Sequence, residues 1–268
     1  MKKIKQIAYV SLWVVLVLGL VLSLGFVNKE QDLLLGKAMN IHVNQDDELY
    51  FLDNIDIANL INERGDSVVD QPKSTINVSN IESMLNSHPA ISNAEVSLSI
   101  DGVLKVDVQQ RKPILRVLTN SGDSYYIDDM GKLMPLSDKY TARVLVASGE
   151  IEESYSMRYM YSMSDIQKDT LLNSKSILND LFDVASYIQA DAFWKAQIQQ
   201  LYVNDEKEIE MVPLVGNQKI IFGDAIDIDL KFKKLFTFYQ QGLNTTGWWD
   251  KYSAINLKFK NQIVCTKK

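Results

Sequence analysis

Few side chains in this 268-residue chain are of types that perform chemistry together. It has two histidines, His42 and His88, and one cysteine, Cys265. A histidine acts as general base only beside a nucleophile or substrate it can reach. His42 falls on the polar face of an alternating stretch and His88 precedes Pro89 at a helix end, so neither has such a neighbour in sequence. Two carboxylate pairs, Asp128-Asp129 and Asp227/Asp229, are of the kind a glycosidase uses when it holds two carboxyls roughly 5–10 Å apart in a cleft. Both have plainer roles. Asp128-Asp129 shares a turn with Gly131, where Asp bonds its own backbone. Asp227 and Asp229 precede a helix, where they cap it and face the positive end of its dipole. Nucleophile-elbow, zinc-protease, P-loop and dinucleotide signatures do not occur. The expectation is a protein that is no enzyme and takes no cofactor or metal.

Composition narrows the class further. The formal net charge is −6, against a nucleic-acid surface, which needs a basic face. One cysteine cannot make an internal disulfide, so apolar cores must hold the fold. Cys265 reads as a buried small hydrophobe rather than a reactive thiol.

The elements that must carry the rest begin at a membrane. Ile7 to Val27 is an uncharged apolar run, long enough to span the roughly 30 Å hydrocarbon core as a helix. Lys2, Lys3 and Lys5 precede it, which keeps residues 1–6 cytoplasmic and exports everything after Val27. A cleaved signal peptide has a shorter apolar region and small residues at its cleavage site. Phe26-Val27-Asn28-Lys29-Glu30 offers no such site, so an uncleaved anchor is expected, followed by a linker over 28–36.

A small module follows, over 37–112. Met39, Ile41 and Val43 alternate with polar residues as in a half-buried strand. Ile57, Leu60 and Ile61 mark a short helix, with Asp53, Asn54 and Asp56 as candidate caps and Gly65 as its stop. Ser79 and Glu82 form the pattern of a capping box ahead of Ile81, Met84 and Leu85, and Pro89 ends that helix. Two alternating strands follow, Val96/Leu98/Ile100 and Leu104/Val106/Val108, joined by the hairpin signal Asp101-Gly102. The order is strand, helix, helix, strand, strand, with both helices on one face of a small sheet.

Beyond Pro113 the pattern stays mostly β. Strands are expected around Leu115–Val117, Ser124–Asp128, Leu133–Leu136, Arg143–Ala147, Leu201–Val203, Glu208–Leu214 and Gln218–Phe222, with a helix near Ile177–Ile188. A second helix carries Phe232, Leu235, Phe236 and Tyr239, with Gly242 as its C-cap. The chain then alternates cleanly through Tyr252, Ser253, Ala254, Ile255, Asn256, Leu257, Lys258, Phe259 and Lys260. The stretch Glu152–Asp169, rich in Tyr and Met, has no assigned role.

The module resembles a POTRA domain. The run Ile81-Glu82…Leu85…His88-Pro89-Ala90-Ile91…Ala94-Glu95-Val96, then Leu104-Lys105-Val106-Asp107-Val108…Arg111-Lys112-Pro113, resembles the FtsQ/DivIB family of bacterial cell-division proteins. The stretch Ser121–Leu136 and the closing helix and strand are similar to that family as well, with Asn256 and Lys258 where the family usually has Asp and Arg. The resemblance implies an α+β chain: one N-terminal transmembrane helix, a POTRA module (β-α-α-β-β), a mixed β domain with flanking helices over 113–264, and a tail over 265–268. His88, Pro89, Asp101, Gly102, Arg111 and Pro113 are the module's structural motif residues. It implies a single-pass type II protein of the inner membrane at the division septum, with its C-terminal part periplasmic. Such a divisome scaffold recruits small bitopic coiled-coil partners of the FtsB/FtsL kind and so regulates the septal peptidoglycan synthesis machinery. The expected docking device is β-strand addition to the open edge of a last strand, Tyr252–Lys260, with Lys258 and Lys260 protecting that edge from aggregation. The alternative is a POTRA-type periplasmic chaperone for outer-membrane protein assembly or secretion.

Overall fold

The computed structural model describes residues 13–20, 35–45, 49–63, 68–159, 162–163, 165 and 176–268. Residues 13–20 are helical. The rest of the expected 7–27 span lies outside the described residues, as do residues 1–6, most of the 28–36 linker, Gly65 and much of Glu152–Asp169. Among the described residues no helix is long and apolar enough to cross a membrane. The chain forms two compact units, Met1–Gln110 and Arg111–Lys268.

In the first unit β1 (Ala38–Asn44), α1 (Asn54–Glu63), α2 (Val78–Asn86), β2 (Ile91–Leu98) and β3 (Val103–Gln110) follow in chain order. The sheet order is β1-β3-β2, with β1 parallel and β2 antiparallel to β3. Leu104, Val106 and Val108 of β3 are buried with Ile57 and Ile61 of α1 and Ile81 and Leu85 of α2, each at the period its element dictates. Asp53 and Asp56 cap α1 reciprocally: Asp53 Oδ1 accepts from the N–H of Asp56, and Asp56 Oδ2 from that of Asp53. Gln110, at the end of β3, pins the chain between β1 and α1. Its Oε1 accepts from Leu52 N–H and its Nε2 donates to the carbonyls of Asn44 and Leu49.

Helix α2 departs from the expected capping box. It begins at Val78, and Asn77 is the N-cap, its Oδ1 accepting from Asn80 N–H at 3.0 Å. Asn is as good a cap as Ser. With Ser79 inside the helix, Glu82 is free to reach sideways, and its Oε2 accepts from the N–H of Val96 on β2.

The second unit is built on a nine-stranded mixed sheet. Its strands are β4 (Pro113–Leu118), β5 (Ser124–Asp128), β6 (Leu133–Pro135), β7 (Leu145–Gly149), β8 (Ile198–Val203), β9 (Ile209–Pro213), β10 (Lys219–Gly223), β11 (Tyr252–Asn256) and β12 (Val264–Lys267). Their order is β12-β11-β10-β9-β8-β7-β4-β5-β6. Helices α3 (Tyr155–Arg158), α4 (Leu178–Ala190), α5 (Ala192–Gln197) and α6 (Ile228–Thr237) complete it. One apolar cluster joins alternate residues of the strands, such as Leu201, Met211, Phe222 and Ile255, to Leu181, Val184 and Ile188 of α4 and Phe232 and Leu235 of α6. The described part of Glu152–Asp169 is fastened to this sheet. Tyr155 packs beside Tyr125, whose hydroxyl donates to the Glu153 carbonyl at 2.7 Å. The buried Glu153 carboxylate accepts from Ser176 Oγ and Ile177 N–H at the entry to α4.

Candidate partner-binding edge

The C-terminal end of the large sheet is assembled by a crossover. β10 leads through α6 to β11, which lies parallel to it, Ile220 opposite Ile255. A parallel return needs a connection of this length. Its apolar filling is aromatic. Trp194 of α5 stands 4.9 Å from Phe232 and 6.2 Å from Tyr239, centroid to centroid, and Tyr187 stacks on Phe232 at 4.5 Å. The hydroxyl of Tyr239 lies beside the amides of Gln197 and Gln218, and burial pushes its pKa up to about 12. Lys231 is buried, with Nζ 2.8 Å from both the carbonyl and the carboxylate of Asp224 and 4.8 Å from the centre of the Phe222 ring. Burial raises the Asp224 carboxyl, and Lys231 together with the backbone N–H bonds it accepts, such as that of Ile226, holds it below its ordinary value.

The helix does not stop where expected. Gly242 lies inside a wider, π-type turn, Phe238–Leu243, where a Cβ would press on the Phe238 ring. The cap is Gly247, in the left-handed region at φ +71°, its N–H donating to Leu243 O at 2.8 Å. Asp227 also departs from its expected role. It precedes α6 at φ +54° and makes no capping bond through its side chain.

The expected edge strand Tyr252–Lys260 divides in two. Tyr252–Asn256 is β11, and it is an interior strand, flanked by β10 and β12. Ala254, Ile255 and Leu257 are buried. Tyr252 packs against Phe238 and Trp248, and Ser253 Oγ donates to the carbonyl of Thr266. Leu257–Lys260 has left the strand. Asn256 Oδ1 accepts from Lys258 N–H, Lys258 Nζ pairs with Glu208, and Lys234 Nζ donates to the carbonyls of Leu257 and Phe259. Lys260 is exposed. The edge is instead β12, paired with β11 on one side only, Ile255 opposite Cys265 and Asn256 opposite Val264. Residues 265–268, expected as a tail, therefore form most of the last strand. The run Ile263-Val264-Cys265-Thr266 carried the signal, since three of its four residues are β-branched. Val264, Thr266 and Lys267 are exposed, while Cys265 is half-buried and burial raises its thiol.

The other residues singled out in sequence serve turns and joints. His88 Nδ1 accepts from Ala90 N–H, and burial lowers the imidazole pKa. Pro89 lies in the turn after α2, and Asp101 and Gly102 in the β2–β3 turn, Gly102 at φ +86°. Arg111 and Pro113 belong with the second unit: Pro113 opens β4, and Arg111 donates to Asp128 Oδ2 at 2.8 Å. Asp128 is spent on structure, its Oδ1 accepting from the N–H groups of Met130 and Lys132. Burial and the Asp128 charge raise the pKa of Asp129.

A small β-α-α-β-β unit, followed in the chain by a large mixed sheet that ends in the exposed strand β12, defines a two-domain protein, a POTRA-like module and then a β domain. Family comparison agrees. A POTRA-like domain model matches residues 35–109, and the model described as FtsQ/DivIB, C-terminal related, matches residues 112–266, more than half of the chain. The chain belongs to the FtsQ/DivIB family. These domains are non-catalytic scaffold types, and they point to a role in cell division. A search of curated proteins gives no match.

Proposed function

We propose that the chain is a membrane-anchored divisome scaffold at the septum that captures small bitopic coiled-coil proteins of the FtsB/FtsL kind by strand addition to β12, and thereby regulates septal peptidoglycan synthesis. The observation that carries this reading is the sheet order, which leaves β12 as a terminal strand with exposed side chains at Val264, Thr266 and Lys267. An added strand gains main-chain hydrogen bonds along such an edge and specificity from alternate side chains. The opposite edge is less suited, because β6 has only three residues and ends on Pro135, which has no N–H to donate.

In-cell photo-crosslinking from Val264 and Thr266, with Ala254 as interior control, tests the reading. The expected product is a small single-span coiled-coil protein from the β12 positions and none from Ala254. An outer-membrane barrel subunit as product would favour the chaperone alternative. No product from β12 in dividing cells would overturn docking at this edge.

A further inference from the structure

The three-stranded sheet of the first unit has β2 as one of its edges, and a bare edge is a template for another chain's strand. Here three consecutive outward backbone groups of β2 are already occupied by side chains of α2. Glu82 Oε2 accepts from the N–H of Val96 at 3.1 Å. Asn86 Oδ1 accepts from the N–H of Ala94 at 2.9 Å, and its Nδ2 donates to the Ala94 carbonyl at 3.1 Å. The spacing explains the fit. Four helical residues advance about 6 Å and two strand residues about 6.6 Å, so an i, i+4 pair on a helix running against the strand meets alternate strand residues. The two side chains act as a surrogate neighbouring strand. Both stand apart from the helix's N-cap, Asn77, and from its buried face, Ile81 and Leu85. Asn86 Nδ2 also donates to the Glu82 carbonyl of its own helix at 3.0 Å, so its amide is held between helix and strand.

We propose that Glu82 and Asn86 are a built-in guard that closes the β2 edge and keeps a second copy of this chain from pairing along it. The device is independent of what binds β12. It makes strand addition at β2 conditional on displacing two side chains.

The test uses the full-length chain in detergent, comparing wild type with Glu82→Ala/Asn86→Ala. Amide exchange is read at Ala94 and Val96, with Val106 and Val108 of the interior strand β3 as internal reference, and mass is followed by sedimentation across a concentration series. Loss of a hydrogen bond to a charged or amide acceptor predicts exchange at Ala94 and Val96 faster by about tenfold relative to β3, with dimers or larger species in the variant only. Glu82→Gln keeps an acceptor of the same reach, so it should retain slow Val96 exchange and a monomer, even if the double variant folds poorly. Wild-type exchange and mass in a folded double variant would overturn the proposal. So would Glu82→Gln exposing Val96 as fully as Glu82→Ala does.

Discussion

Asp128 is almost fully enclosed, at 1% side-chain exposure, and its partner Arg111 is at 10%. One carboxylate oxygen takes the guanidinium and the other takes two backbone N–H groups of its own turn. Asp128→Ala removes the enclosed arginine's ion-pair partner, and breaking a buried pair in this way costs about 3–5 kcal/mol. Asp128→Asn keeps an acceptor for the turn and should cost less. Urea unfolding of both variants checks the order. The turn itself was legible, because Asp-Asp-Met-Gly is a turn sequence. The arginine was not, since it lies seventeen residues away in the chain and no local pattern joins them. A second residue-scale prediction concerns pH. Burial raises the Asp183 carboxyl and the charge of Asp180 adds to it, while burial raises Asp180 against the N–H bond it accepts from Ala225. The folded chain holds these protons more tightly than the unfolded chain. Their contribution to stability is therefore greatest below the ordinary aspartate range and falls as pH rises through the raised folded values. Asp183→Asn should raise Tm at pH 7 and leave it unchanged near about pH 3, where the wild-type group is also neutral. A thermal-melt series across that range measures it.

At the scale of elements, periodicity located most helices and strands because each buries one face. β3 and α4 are examples, with Leu104, Val106 and Val108 at period two and Leu181, Val184, Ala185 and Ile188 at helical spacing. Ends were less legible, because several residues nearby could serve. Asn77 competes with Ser79 for the start of α2. Gly242 competes with Gly247 for the end of the last helix, and only the π-type turn carries the helix past the first glycine. Gly149 shows an end that tolerates one residue type. It sits at φ +102° opposite Val203 across the parallel β7–β8 pair, and a Cβ there would collide with the Val203 carbonyl. Gly149→Ala meets both a left-handed backbone and an immovable neighbour, so it should destabilise the second unit by at least about 2 kcal/mol. Gly122, at φ +88° with open space around it, supplies the control. Its alanine variant pays the backbone term alone, and chemical denaturation of the two variants should rank Gly149→Ala as the worse.

On the scale of the whole molecule, strand order was the part of the design hidden from the sequence. Tyr252–Asn256 alternates as an edge strand would, yet α6 returns the chain beside β10 and the last residues then cover it on its other side. The buried residues at this end, Ala254, Ile255 and Leu257, belong to β11 and the segment after it, whereas β12 and its approach supply only the half-buried Ile263 and Cys265. The fold and the proposed docking are thus separable here. Ending the chain at Gln262 removes about 1–3 kcal/mol of apolar burial, a Tm drop of roughly 5 °C for a unit of this size, and it should leave the sheet through β11 intact by circular dichroism. It also removes the strand on which, in the proposed function, a partner segment adds. The truncated chain should therefore reach the membrane folded and fail to co-purify the small bitopic partner that the full chain retains. If it keeps that partner at full-chain yield, β12 is a cover for β11 and docking lies elsewhere on the molecule.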